Sequence, residues 1–341
     1  MNLLHILRRL RVHRTWTYKG PLLMAGPYCV LAKSGAPAAT AFAAVLGAML
    51  TIIGIAGLAY LINDLSDRES DRAARKPNCT EGSKPASVAL AALVLMLAAL
   101  LPWFTILPFG RLPAALLGLE LALFVVYALP PFRLKERGFL GPMTDAGYAY
   151  VIPAMLASMT FARIGGLEPG EINLLLLALV AWQLPLGLRN IILHQLDDEG
   201  NDAISTTRTW VRDLGRTRAM TVTSHVLVPL EIGGFFFFCA AIFGVSPGVL
   251  LLYPAFLGLT VLVIRHSWRR ALPATLQQAS ILYLSDYYDE WIPVILLVTL
   301  VAIDLHHLPL LILHLAVFRK NAVRTVIREF GIVTARVRGL S

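Results

Sequence analysis

Asn63, Asp67 and Asp71 follow one another at intervals of four, and so do Asn190, His194, Asp198 and Asp202. Spacing by four stacks side chains on a single helix face. Both sets stand where a long apolar run gives way to a charged loop, within Asn63-Asp64-Leu65-Ser66-Asp67-Arg68-Glu69-Ser70-Asp71 and Asp197-Asp198-Glu199-Gly200-Asn201-Asp202. A carboxylate at the centre of a membrane helix costs roughly 2.5–3.5 kcal/mol, so each row requires a wet cavity or a cation. Mg²⁺ takes oxygen ligands, keeps several waters, and is usually held by one or two carboxylates plus a substrate phosphate. Two rows of acids facing across a cavity therefore suit two or three such ions carrying a phosphate. Acidic loops that merely solvate helix ends would explain a few of these residues, but not two rows at helical spacing and equivalent depth.

Cations surround both rows. Arg72 and Lys76 follow the first, Arg208 and Arg212 follow the second, and Arg133 and Lys135 occupy a loop between them. Arginine favours bidentate phosphate contacts, whereas lysine acts as a point charge. Each taken singly also reads as a loop charge that sets topology. Arg189 differs, because it lies inside an apolar helix one residue before Asn190, which points to function. His194 is expected to donate to a phosphate or to take a proton from an acceptor. In Tyr127-Ala128-Leu129-Pro130-Pro131-Phe132-Arg133-Leu134-Lys135 the prolines end a helix and turn Arg133 and Lys135 back toward the membrane face. Asp286-Tyr287-Tyr288-Asp289-Glu290-Trp291 carries three acids among interfacial aromatics, and an acceptor or gating site is expected there.

The elements that must position these groups are membrane helices. The 341-residue chain is 57% hydrophobic and only 15% charged. Several apolar runs reach the length of roughly 20 residues that spans a bilayer. Crossings are expected near 17–34, 37–62, 86–107, 112–129, 140–161, 171–195, 219–243 and 246–264, with a last apolar region at 291–318. Through residue 270, alternate loops hold 20 Lys and Arg against 3, which places the N-terminus and both acidic rows on the cytosolic side of the cell membrane. The net charge of +9 is then mostly topological; no basic surface domain exists to bind nucleic acid. Three scattered cysteines make neither a disulfide framework nor a thiolate metal site. Arg8 to Arg14 interrupt any signal-peptide pattern, so insertion is expected through the first crossing. Residues 1–16 read as a basic amphipathic segment against anionic lipid, 17–318 as the membrane domain, and 319–341 as a basic cytosolic tail. Asp304, His306, His307 and Pro309 interrupt the last apolar region, and a helix that breaks there and turns back keeps that tail inside.

At this point the chain resembles a family. The Asn-Asp-x-x-Asp-x-x-x-Asp run after the second crossing, the Tyr-x-x-Pro-Pro-x-Arg-Leu-Lys block after the fourth and Asp-x-x-x-Asp after the sixth resemble the UbiA-type intramembrane prenyltransferase superfamily, from about residue 16 to 300. The resemblance implies an all-α bundle of about nine crossings around a central cavity, with Mg²⁺ and an isoprenyl diphosphate at its cytosolic mouth. Asn63, Asp67 and Asp71 would hold one Mg²⁺, and Asp198 and Asp202 another. Lys135 and Arg72 would contact the diphosphate, with Tyr127 nearby. The implied reaction ionises the allylic C–O bond and passes the prenyl group to a lipophilic or aromatic acceptor. The apolar tunnel would exclude water, with Phe124 or the phenylalanines at 235–238 as candidate lining residues. Departures fall at Gln195, where many relatives carry an acid, at Ile204-Ser205-Thr206, where a small Ala-Gly is usual, and at Ala128, where Ser is common. A terpene cyclase and a phosphoribosyl transferase acting on polyprenyl phosphate share the resemblance. A cation-coupled transporter is the reading from another class, but it would carry its polar residues nearer the bilayer midplane.

Overall fold

The computed structural model describes residues 3–10, 19–200, 207–267, 284–318 and 320–327, and among them every regular element is helical. The chain starts with α1 (Leu3–Arg9) and α2 (Ala25–Ser34). It continues through α3 (Ala38–Ser66), α4 (Pro85–Thr105) and α5 (Arg111–Ala128). Next comes α6, built of Leu140–Ala146, a π-turn at Gly147–Val151 and Ile152–Ile164. It is followed by α7 (Pro169–Asp197) and α8 (Arg216–Ile242). The last long elements are α9 (Tyr253–Ser267), α10 (Ile292–Ile303) and α11 (Leu308–Val317).

Five of these, α3, α4, α5, α7 and α8, are long and apolar enough to cross a membrane. With no water in the hydrocarbon, helices satisfy their own backbone groups, which is why apolar runs of this length fold this way. Large apolar side chains such as Leu93, Leu97, Phe104, Leu177 and Leu230 face outward. That outward face suits a lipid solvent.

Small residues bring the helices together. A Cβ on Gly54 of α3 would come 2.3 Å from the backbone nitrogen of Ala99 on α4, and one on Gly234 of α8 would come 2.2 Å from the carbonyl oxygen of Ala181 on α7. Ala181 lies four residues before Pro185, which has no N–H to give it, so that carbonyl stays open to the neighbouring helix. Without a hydrophobic force between helices in lipid, such close approaches supply the packing energy. In the order α4–α3–α5–α6–α7 the helices line a central cavity, with α8 packed on α7, α2 on α6 and α10 on α2.

The last apolar region breaks as the sequence suggests. Asp304 accepts the backbone N–H of His306 at 3.0 Å and caps a short turn, after which α11 packs against α10. The chain then returns far enough for Lys320 to pair with Asp286 at 2.5 Å and Glu290 at 3.1 Å. Arg189 is satisfied inside the bundle by Glu231 at 2.5 and 2.9 Å and by Ser285 at 3.1 Å. Beside it Trp182 packs on Phe235, Phe238 and Tyr288. Phe235, Phe238 and the 287–291 segment therefore build the core here, and Phe124 alone of the expected tunnel phenylalanines faces the cavity. Ile6 of α1 and Leu10 just after it bury against the bundle; half of the 1–16 segment and most of the 319–341 tail lie outside the described residues.

Candidate active site

The two acidic rows occupy the C-terminal ends of α3 and α7. Asp67 caps α3, its N–H bonding Asn63 O at 2.9 Å, and Asp198 caps α7, its N–H bonding His194 O at 3.0 Å. The helix dipole already puts partial negative charge at such ends, so a carboxylate there sharpens the negative potential and requires cations. Three lysine and arginine side chains answer. Lys135 Nζ stands 2.5 Å from both Asp67 carboxylate oxygens and 3.1 Å from Asn63 Oδ1. Arg133 Nη2 reaches Asp67 Oδ1 at 3.0 Å. Lys76 Nζ crosses to Asp198 Oδ2 at 3.0 Å and ties the two rows to one mouth.

In the loop that delivers Lys135, the Pro130–Pro131 peptide bond is cis and Arg133 has φ 42°. That is a left-handed conformation that L side chains rarely adopt. The Arg133 guanidinium is fixed by Glu136 at 2.6 Å, Ser66 at 2.9 Å and Asp67. Burial lowers the Lys135 pKa, and Asp67 offsets part of that.

Not every residue of the expected rows joins this group. The helix of α3 stops at Asp67 and restarts at Arg68–Ala73, and although the Asp71 N–H still reaches Asp67 O at 2.7 Å, the Asp71 carboxylate engages the 76–80 loop. It accepts from Asn78 Nδ2 at 2.7 Å, while Asp64 accepts the Cys79 N–H at 2.9 Å and pins the same loop. Arg72 pairs with Glu81 and lines a second cavity with Arg9 and Arg75, and Arg208 pairs with Asp213 at the surface. Arg189 is held in the Glu231 pair, away from the mouth. Gln195, buried, accepts the Val211 N–H at 3.3 Å and fastens the short helix Trp210–Leu214 to α7. Asp202 and Ile204-Ser205-Thr206 lie outside the described residues.

Behind the mouth opens a cavity of about 440 Å³. Asn63, Tyr127, Asn190 and His194 form its polar rim, and Ile52, Ile55, Leu107, Phe124 and Phe161 are among its apolar walls. His194 Nε2 lies 3.8 Å from Asp198 Oδ2, and Asn190 donates to the Tyr150 hydroxyl at 2.8 Å. Two polar contacts were not assigned to the site from the sequence. Lys19 sits over the Tyr150 ring, 4.4 Å from its centroid, and Tyr148 donates to Asp145 at 2.6 Å; all four line the cavity. Lys19 read only as a topology charge, and Asp145 stood out only as an acid deep in an apolar helix, with nothing to join it to Tyr148.

Among the described residues no three His, Cys, Asp or Glu side chains stand close enough to hold an ion unaided. Amide, water and phosphate oxygens would have to complete the shell, which is how Mg²⁺ is ordinarily bound. Asn63 Oδ1 and both Asp67 oxygens already converge on one cation, the Lys135 ammonium, so this oxygen set fits a divalent ion.

Comparisons with known proteins agree on one family. The model of the UbiA prenyltransferase family matches residues 21–286. Among solved structures, a UbiA homolog from Archaeoglobus fulgidus bound to GPP and Mg²⁺ is 18% identical with a TM-score of 0.52, covering 87% of this chain and 99% of that one. The same homolog bound to DMAPP and Mg²⁺ is 17% identical with a TM-score of 0.53, covering 88% and 99%. No curated protein sequence matches the chain. At this identity the structures speak for the fold, while the family match covers most of the sequence: the chain belongs to the UbiA prenyltransferase family.

Proposed function

We propose that this membrane protein transfers an isoprenyl group from an isoprenyl diphosphate to a lipophilic or aromatic acceptor, with Mg²⁺ at a cytosolic mouth. The observation that carries this reading is the convergence of Asn63, Asp67 and Asp198 with Lys135, Arg133 and Lys76 at one end of an apolar cavity. The archaeal homolog of the same fold is bound to GPP or DMAPP with Mg²⁺. Two UbiA-type alternatives, cyclisation and phosphoribosyl transfer, gain no specific observation here.

The residues divide the work by charge. Asn63 and Asp67 would hold one ion and Asp198 another, with Asp71 and Asp202 as further candidate ligands. Mg²⁺, when bound, neutralises the negative charge that gathers on the departing diphosphate. Lys135, Arg133 and Lys76, released from their carboxylates, turn to the diphosphate oxygens as fixed donors. The allylic C1–O bond breaks and its electron pair leaves with the diphosphate. A nucleophilic carbon or oxygen of the acceptor then bonds to C1 and gives up its proton, for which His194 on the rim is the candidate base. Apolar walls exclude the water that would otherwise capture the cation.

The test is to incubate purified protein with labelled geranylgeranyl diphosphate and Mg²⁺, with and without a panel of quinone-precursor, phenolic and lipid alcohol acceptors. Acceptor-dependent formation of a labelled lipid supports the reading. A labelled hydrocarbon that forms without any acceptor would replace it with cyclisation.

A further inference from the structure

The end of the cavity away from the mouth is not apolar. Glu120 lies on α5 about 10 Å from Tyr127 along the helix axis, at about 1.5 Å per residue. It is 3% exposed, as is Trp103 where α4 ends, and both line the cavity. Among the described residues Glu120 Oε2 and Trp103 Nε1 have no hydrogen-bond partner. The threonines nearby do not answer them. Thr51 donates to Ala99 O at 3.2 Å and Thr160 to Leu156 O at 2.7 Å.

Buried polar groups are rarely left unpaired, and a carboxyl within a membrane bundle is the most costly to leave so. The chemistry of the pair is complementary. The carboxyl oxygen accepts a hydrogen bond and the indole N–H donates one. A hydroxyl can donate to the first and accept from the second, whereas the methyl terminus of a plain isoprenoid can do neither.

We propose that Glu120 and Trp103 form a hydroxyl-recognition site, so that the isoprenyl diphosphate this chain takes best carries a hydroxyl on its last isoprene unit. This rests on the transferase reading, because a diphosphate at the Lys135 mouth aims its far end at Glu120. A resident water is the competing occupant, since it too could satisfy both groups.

Purified protein with Mg²⁺ and no acceptor would be titrated with geranyl and farnesyl diphosphate and with their ω-hydroxylated forms. At one of the two lengths the hydroxylated form should bind about tenfold more tightly than its parent, as a hydrogen bond to an otherwise orphaned buried group implies. Glu120→Leu should abolish or reverse that preference while leaving the parent's affinity intact, and Glu120→Gln, which can still accept, should retain part of it. Equal or weaker binding of the hydroxylated forms at both lengths overturns the proposal, as does a preference that survives Glu120→Leu. If none of the four diphosphates binds, the transferase reading itself fails, which separates the two failures.

Discussion

Replacing Asp67 by Asn changes one charge at the point where two cations and one amide meet. Both oxygens of Asp67 lie 2.5 Å from Lys135 Nζ, and Oδ1 also takes Arg133 at 3.0 Å. The side chains of Lys135 and Asp67 are only 10% and 16% exposed, so solvent screens the pair weakly. Breaking a fully buried ion pair costs about 3–5 kcal/mol. Asn keeps one acceptor oxygen and Arg133 keeps Glu136, so the loss here should be nearer about 1–3 kcal/mol. The bundle, held by contacts elsewhere, still folds. Catalysis should suffer more, because loss of one group that stabilises developing charge lowers kcat about 10²–10³-fold. Turnover of labelled geranylgeranyl diphosphate across a Mg²⁺ series, read beside a thermal melt in detergent, separates the two effects. A folded Asp67→Asn protein with near-normal turnover would remove Asp67 from the metal site and refute the reasoning.

Four further outcomes follow. The Lys76–Asp198 pair is a quarter to a third exposed, so Asp198→Asn should lower kcat by a similar factor yet cost under about 1 kcal/mol in the melt. Arg189→Met leaves Glu231 buried without its partner. It should cost about 3–5 kcal/mol, most of it recovered in Arg189→Met/Glu231→Leu; a neutral single variant would contradict the buried pair. Gly54→Ala pushes a Cβ to 2.3 Å from Ala99 N. Such overpacking should lower stability by about 1–3 kcal/mol, measured by the same melt. Burial lowers the Lys135 pKa, so its ammonium is lost at lower pH than an ordinary lysine's. The KM for diphosphate should therefore rise early on the alkaline side, and Lys135→Arg should delay that rise. Across the same window the unfolded chain binds the extra proton, so Lys135's contribution to folding stability grows as pH climbs.

How much of this was legible in the sequence depends on the range of the interaction. Asp67 and Asp198 announced themselves through local spacing and the transition from apolar to charged residues, and both cap their helices at the mouth. The broken helix at Asp304–His307 was legible for the same reason, because a short polar interruption and a charge-balance rule are both local. The Asp71–Asn78 contact was not legible, because Asn78 and the Asp64–Cys79 bond act from across the loop. The partner of Arg189, Glu231, lies 42 residues away on another helix, beyond the reach of local spacing. Long-range pairing also hid Lys19 at Tyr150 and the closure of Lys135 onto Asp67, which only the folded bundle brings about.

The most direct test is a structure of this protein with Mn²⁺ in place of Mg²⁺ and a non-ionising thiolodiphosphate analogue. The account predicts anomalous density between Asn63, Asp67 and Asp198, with Lys135 drawn off Asp67 onto the diphosphate and the isoprenyl chain running past Tyr127 toward Glu120. Metal or diphosphate seated elsewhere, with Lys135 still closed on Asp67, would contradict it.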